Sequence, residues 1–150
     1  RRGEVPPGRK DYYPMAVFHY HAGLLSAIYA RDYIESCERF PELPKLTERQ
    51  IAALDLFDNL TESDKFRLDM AFEPGDVQML HNHQILHARS DFEDWPEVER
   101  KRHLLRLWLC PPDGRPLPDG FEERYLQLDI GDRGGIIGGD STLNVPLEPV

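Results

Sequence analysis

The residue types best suited to chemistry fall in one stretch of the chain. His87 stands in the string Leu86-His87-Ala88-Arg89, Arg102 follows fifteen residues later, and Arg106 four after that. A neutral imidazole is the commonest protein ligand for a transition metal. A planar guanidinium pairs through two parallel hydrogen bonds with a carboxylate or phosphate. A histidine and two arginines at this spacing therefore suit a metal held beside an anion.

Other residues near them admit different readings. His81, His83 and His87 share parity, so in one unbroken strand they would form an H-x-H-x3-H zinc-type set. The Asn82-His83 pair reads as a tight turn, which would break that parity. His19, His21 and His103 read as ordinary surface or core histidines. In 102–110, alternation sends Arg102, Leu104, Arg106 and Trp108 one way and His103, Leu105, Leu107 and Leu109 the other. Both faces are largely apolar, which predicts a strand covered on both sides. Two arginines on a covered face need anions: either internal salt bridges, which the 27 acidic residues can supply, or a bound carboxylate, sulfonate or phosphate.

The elements that must position these groups read as many short strands with flanking helices. Strands are predicted at 14–20 and 24–30 around a turn at His21-Ala22-Gly23, with 31–40 ambiguous and open to a helix. Thr47 with Gln50 three residues on forms a capping box, and Leu46 and Ile51 occupy the staple positions. Ile51, Leu54 and Phe57 then recur at helical spacing, so a helix is predicted over 47–60, packed on a sheet. Further strands follow at 66–72, 76–81, 85–88 and 102–110, with Pro74-Gly75 as a turn and 90–101 as an acidic loop. The pattern suggests a mainly β chain with flanking helices, a cupin-like jelly roll or double-stranded β-helix. Residues 1–13 read as an extended arm and 111–150 as an irregular Pro- and Gly-rich tail of one domain. The Gly-rich run 131–139 contains neither GxGxxG nor GxxxxGK[ST], so a flexible connection is expected there.

Composition narrows the partners. A chain of 150 residues, 40% hydrophobic, is one domain's worth and can bury a core. The net charge of −9 argues against nucleic acid as the main partner. No apolar run approaches the ~20 residues of a membrane span, and with no signal-peptide pattern the default compartment is the cytoplasm. Cys37 and Cys110 have no metal-type spacing and are expected as free thiols.

The central stretch, PGDVQMLHNHQILHARSDF followed by RHLLRLWL, resembles the C-terminal half of the taurine dioxygenase family of Fe(II)/2-oxoglutarate-dependent oxygenases. The resemblance rests on the Pro74-Gly75-Asp76 turn, Asn82, the Leu-His-x-Arg string ending at Arg89, and the Arg-His-Leu-x-Arg-x-Trp string from Arg102 to Trp108. The part upstream, through the helix at 47–60, is similar to family members as well. The resemblance implies that His87 is the distal histidine of the two-His-one-carboxylate triad that holds iron. It implies that Arg102 binds the far carboxylate of 2-oxoglutarate and that Arg106 binds an anionic group of the substrate. The implied reaction couples dioxygen to hydroxylation of a small organic molecule, with 2-oxoglutarate decarboxylated to succinate. No further catalytic group is implied, and the acidic loop is a candidate rim or lid.

One family feature is missing. The other two iron ligands come from a His-x-Asp/Glu pair, and none of the six histidines is followed two positions on by an acid. With about six predicted strands against the roughly eight of a complete jelly roll, and no initiator Met, the chain is expected to be the C-terminal portion of a longer enzyme. An N-terminal half or a second chain would then complete the site. The alternative is a truncated, non-catalytic relative that binds an anionic ligand or a partner subunit.

Overall fold

The computed structural model describes residue 5 and residues 7–133. Of the expected arm at 1–13, residues 1–4 and 6 lie outside the described residues, as do 134–150 of the expected tail at 111–150, with most of its Gly-rich run. Two compact units are formed, one by residues 1–28 with 83–150 and the other by 29–82.

The first unit is built on a hairpin. Strand β1 (Phe18–His21) pairs antiparallel with β2 (Leu24–Ala27), with Phe18 opposite Ala27 and His21 opposite Leu24. Ala22 and Gly23 both have positive φ, +50° and +77°. A two-residue turn of that hand matches the twist of the flanking strands. The hairpin continues beyond its ladder, since the Ile28 amide donates to the Val17 carbonyl, while the Ala27 amide ties the hairpin to a later segment by donating to the His83 carbonyl, both at 2.9 Å.

Its core comes from a segment expected to be irregular. Residues 119–121 form a 3-10 turn that runs directly into helix α3 (Glu122–Tyr125). Leu117, Phe121 and Tyr125 are buried, Phe121 completely, and Met15, Ile28 and Leu128 pack against them. Arg115 donates to the Leu25 carbonyl and to the buried hydroxyl of Ser26, at 2.6 and 2.8 Å. Arg9, from the N-terminal arm, pairs with Glu123 at 2.8 Å.

The second unit is helical. Helix α1 (Arg31–Glu35) passes into a 3-10 turn at Ser36–Arg39, and helix α2 spans Glu48–Thr61. Here the capping box is formed as the sequence predicts. The Thr47 hydroxyl accepts from the Gln50 amide at 3.3 Å, and the Gln50 side chain accepts from the Thr47 amide at 2.8 Å. Leu54 and Phe57 are half-buried, and the Tyr29 ring meets Phe57 edge-on at 4.7 Å. Arg31 joins the two helices: its guanidinium bonds Glu35 on its own helix and Asp55 and Asp58 on α2, the latter two at 2.8 and 2.9 Å. Tyr29 donates its hydroxyl to Asp58 as well. Burial, and then that hydrogen bond to Asp58, push the Tyr29 phenol up to about 12.

The jelly roll expected from the strand pattern is not formed by the described residues, whose one sheet has two strands. The predicted strands at 66–72, 76–81, 85–88 and 102–110 are not formed as strands among the described residues. A strand is held by a ladder to its neighbours, and a hydrophobic face is held by whatever covers it. These segments join no ladder among the described residues, and apolar side chains on them stand exposed: Leu68, Val77 at 86%, Met79, and Leu107 at 81%. Among the described residues no helix is long and apolar enough to cross a membrane.

Candidate functional site

His87 follows a turn at residues 82–84, as the Asn82-His83 pair predicts, and lies exposed in a segment without regular secondary structure. The turn also settles the three-histidine alternative. His83 points away to the core, with its ring edge-on to Phe121 at 5.5 Å and to Tyr125 at 6.0 Å. His19 reaches the same phenylalanine from β1, at 4.7 Å, while its Nε2 lies 2.8 Å from the Ala16 carbonyl oxygen. No group of three His, Cys, Asp or Glu side chains able to hold a metal occurs among the described residues.

Upstream, the Pro74-Gly75 turn is formed. Gly75 has φ +99°, and the Asp76 side chain accepts from the Glu73 amide at 2.9 Å while the Asp76 amide donates to the Glu73 carbonyl at 3.0 Å. The glycine and the acid of the PGD string thus do separate jobs. Gly75 supplies the left-handed backbone, and Asp76 closes the turn over it.

Arg102 and Arg106 correct the strand prediction. Both are exposed, and neither sits on a covered face, because 102–110 has no neighbouring strand among the described residues. Arg102 is nonetheless held. Its amide donates to the Asp94 carboxylate at 2.8 Å, and its guanidinium lies 5.2 Å from the centre of the Phe92 ring. Arg89, two residues beyond His87, lies over the same ring at 4.6 Å. The acidic loop between them is ordered by its own contacts: a 3-10 turn at Val98–Arg100, and Arg100 stacked on Trp95 at 3.3 Å.

Phe92 therefore joins the histidine-bearing string to Arg102, a role that its residue type and position do not announce. Its signal was weak, an aromatic three residues after one arginine and ten before another. Chemically, the arrangement offers an exposed guanidinium suited to a carboxylate, near a segment with one accessible imidazole. A lone histidine is one ligand of the three that a facial iron triad requires, so the described residues by themselves do not fit the metal.

Residues 1–108 match the family described as taurine catabolism dioxygenase TauD, TfdA family, and the chain belongs to that family. Its members are 2-oxoglutarate-dependent dioxygenases with a cupin-like fold that generally use Fe(II). FR-33289 synthase of Streptomyces rubellomurinus (strain ATCC 31215) is 35% identical over 125 residues, covering 78% of this chain and 35% of that protein. Taurine hydroxylase-like protein SAT17 of Stachybotrys chartarum (strain CBS 109288 / IBT 7711) is 40% identical over 58 residues, which cover 33% of this chain and 15% of that protein. The chain thus spans about a third or less of the length of these relatives. No solved structure matches it.

Proposed function

We propose that this chain supplies the distal iron-binding histidine, His87, and the cosubstrate arginine, Arg102, of an Fe(II)/2-oxoglutarate-dependent dioxygenase. The enzyme uses dioxygen to hydroxylate a small organic substrate, converting 2-oxoglutarate to succinate and carbon dioxide. The observation that carries this reading is the family match over 1–108, which includes the Leu-His-x-Arg string and the Arg-His-Leu-x-Arg-x-Trp string.

The other two iron ligands come from outside the described residues. Two facts support this: no three-ligand group exists among those residues, and the chain covers 35% of FR-33289 synthase. The same source provides strand partners for the exposed apolar segments between 66 and 109, because unpaired edges and bare apolar faces are what a sheet buries when it is complete. Iron supplies the redox chemistry when it is bound. Arg102 fixes the orientation of 2-oxoglutarate through the carboxylate farthest from the metal. Arg106 favours an anionic substrate, in keeping with a relative named for taurine, an aminosulfonate. The net charge of −9 argues against nucleic acid as a partner.

The test is 2-oxoglutarate-dependent succinate formation by the full-length protein. Arg102→Ala is expected to raise the 2-oxoglutarate requirement steeply, and an unchanged requirement would show Arg102 to be misassigned. The 150-residue chain alone is expected to form no succinate. Robust turnover by it would refute the external origin of the other ligands, whereas a full-length protein that binds an anion without turnover would favour a non-catalytic relative.

A further inference from the structure

The two guanidiniums on Phe92 pose a question of their own. Arg89 and Arg102 carry like charges, yet both lie on one ring, at 4.6 and 5.2 Å from its centre. The negative face of an aromatic ring attracts a cation, so the ring offsets part of the repulsion between them. The backbone of Arg102 is fixed independently by Asp94, which accepts its amide at 2.8 Å and also meets the Trp95 amide at 3.3 Å. The remainder of the loop is closed by the Val98–Arg100 turn, with the Lys101 amide donating to the Val98 carbonyl at 3.1 Å. Between His87 and Arg102, the loop is thus fastened at its start by Phe92 on Arg89 and at its end by Phe92 and Asp94 on Arg102.

We propose that Phe92 is a positioning residue for 2-oxoglutarate, its ring holding the Arg102 guanidinium to the segment that carries His87. This rests on Arg102 being the cosubstrate arginine. A long, exposed arginine loses side-chain freedom when it grips a carboxylate, and a side chain already resting on a ring has less to lose. The loop is on this account a spacer that sets where the cosubstrate's far carboxylate is met. Asp94 acts on the Arg102 backbone, which leaves the guanidinium for the ligand.

The test is direct binding of 2-oxoglutarate to the full-length protein, measured by calorimetry without dioxygen, so that turnover plays no part. Phe92→Leu keeps an apolar side chain but removes the ring face, and it should weaken binding about 2- to 5-fold, the range of an exposed cation–ring contact. Phe92→Tyr keeps the face and should restore binding to the wild-type value. That rescue separates positioning from mere filling of space. Wild-type binding in Phe92→Leu, or equal weakening in Phe92→Tyr, overturns the proposal. Arg102→Ala distinguishes the two levels of the argument. If it weakens binding while Phe92→Leu does not, only the positioning role falls. If Arg102→Ala itself binds normally, the cosubstrate assignment falls and the role of Phe92 falls with it.

Discussion

Replacing Phe121 with alanine tests whether the short C-terminal helical segment is the keystone of its unit. Phe121 has no exposed surface and touches three other rings, those of His19, His83 and Tyr125. A buried phenylalanine removes roughly 150–200 Å² from water, worth about 4–5 kcal/mol at about 25 cal/mol per Å². Truncation of a buried phenylalanine to alanine costs about 3–5 kcal/mol, so the two routes agree. Among the described residues, Leu117 and Tyr125 are the other buried hydrophobic side chains, so little else can close around the cavity. The assay is amide hydrogen exchange at Ala27 and Ile28, whose N–H groups are bonded to His83 and Val17 within the same unit. Their protection should fall by about a hundredfold or more, since each 1.4 kcal/mol is a factor of ten. Lys45→Ala, at an exposed position of the other unit, serves as the control and should change nothing. Protection in Phe121→Ala within about threefold of wild type, roughly 0.6 kcal/mol, would refute the packing argument.

Two further predictions follow from local geometry. Ala22 holds φ +50° in the hairpin turn, a conformation that costs an alanine about 1 kcal/mol. Ala22→Asn makes the favoured Asn-Gly turn and should stabilise the hairpin by roughly 0.5–1 kcal/mol in urea unfolding; no gain would mean the turn is not of that type in solution. Tyr29, raised to about 12 by burial and its bond to Asp58, should contribute stability that is complete below pH 10 and is lost as pH climbs towards 12. The difference in stability between wild type and Tyr29→Phe should therefore fall between pH 10 and 12 and stay flat from pH 7 to 9. A flat difference throughout would remove Tyr29 from the account.

What could be read from the sequence was local. The Thr47–Gln50 capping box, the turn at Ala22-Gly23, the turn at Pro74-Gly75 and the one at Asn82 each depend on residues within a few positions of one another, and each is formed. The strand pattern of 66–72, 76–81 and 102–110 is just as plain in the sequence, but a strand exists only with a partner, and partners are not a local property. The chain's core was concealed in another way. Leu117, Phe121 and Tyr125 recur every four residues, the spacing of one helix face. Pro111, Pro112, Pro116 and Pro118 surround the start of that pattern and gave it the look of an irregular tail.

The candidate site divides along the same line. His87, Arg102 and Arg106 stood out because their types and spacing carry chemistry, and the family match covers all three. Phe92 and Asp94 did not stand out, because their part is played through contacts that only the folded loop creates. His83 was weighed as a ligand on parity alone, and a three-residue turn sends it instead to Phe121.

The central claim is that His87 is one of three protein ligands to Fe(II). The most direct test is the affinity of the full-length protein for Fe(II) under anaerobic conditions, by equilibrium dialysis, for wild type and His87→Ala. Changing a residue that merely supports a ligand costs about 10- to 100-fold in metal affinity, so loss of a ligand itself should cost more than about 100-fold. One iron bound by wild type, with affinity reduced to that extent in His87→Ala, is the predicted result. Undiminished iron binding by His87→Ala would contradict the account.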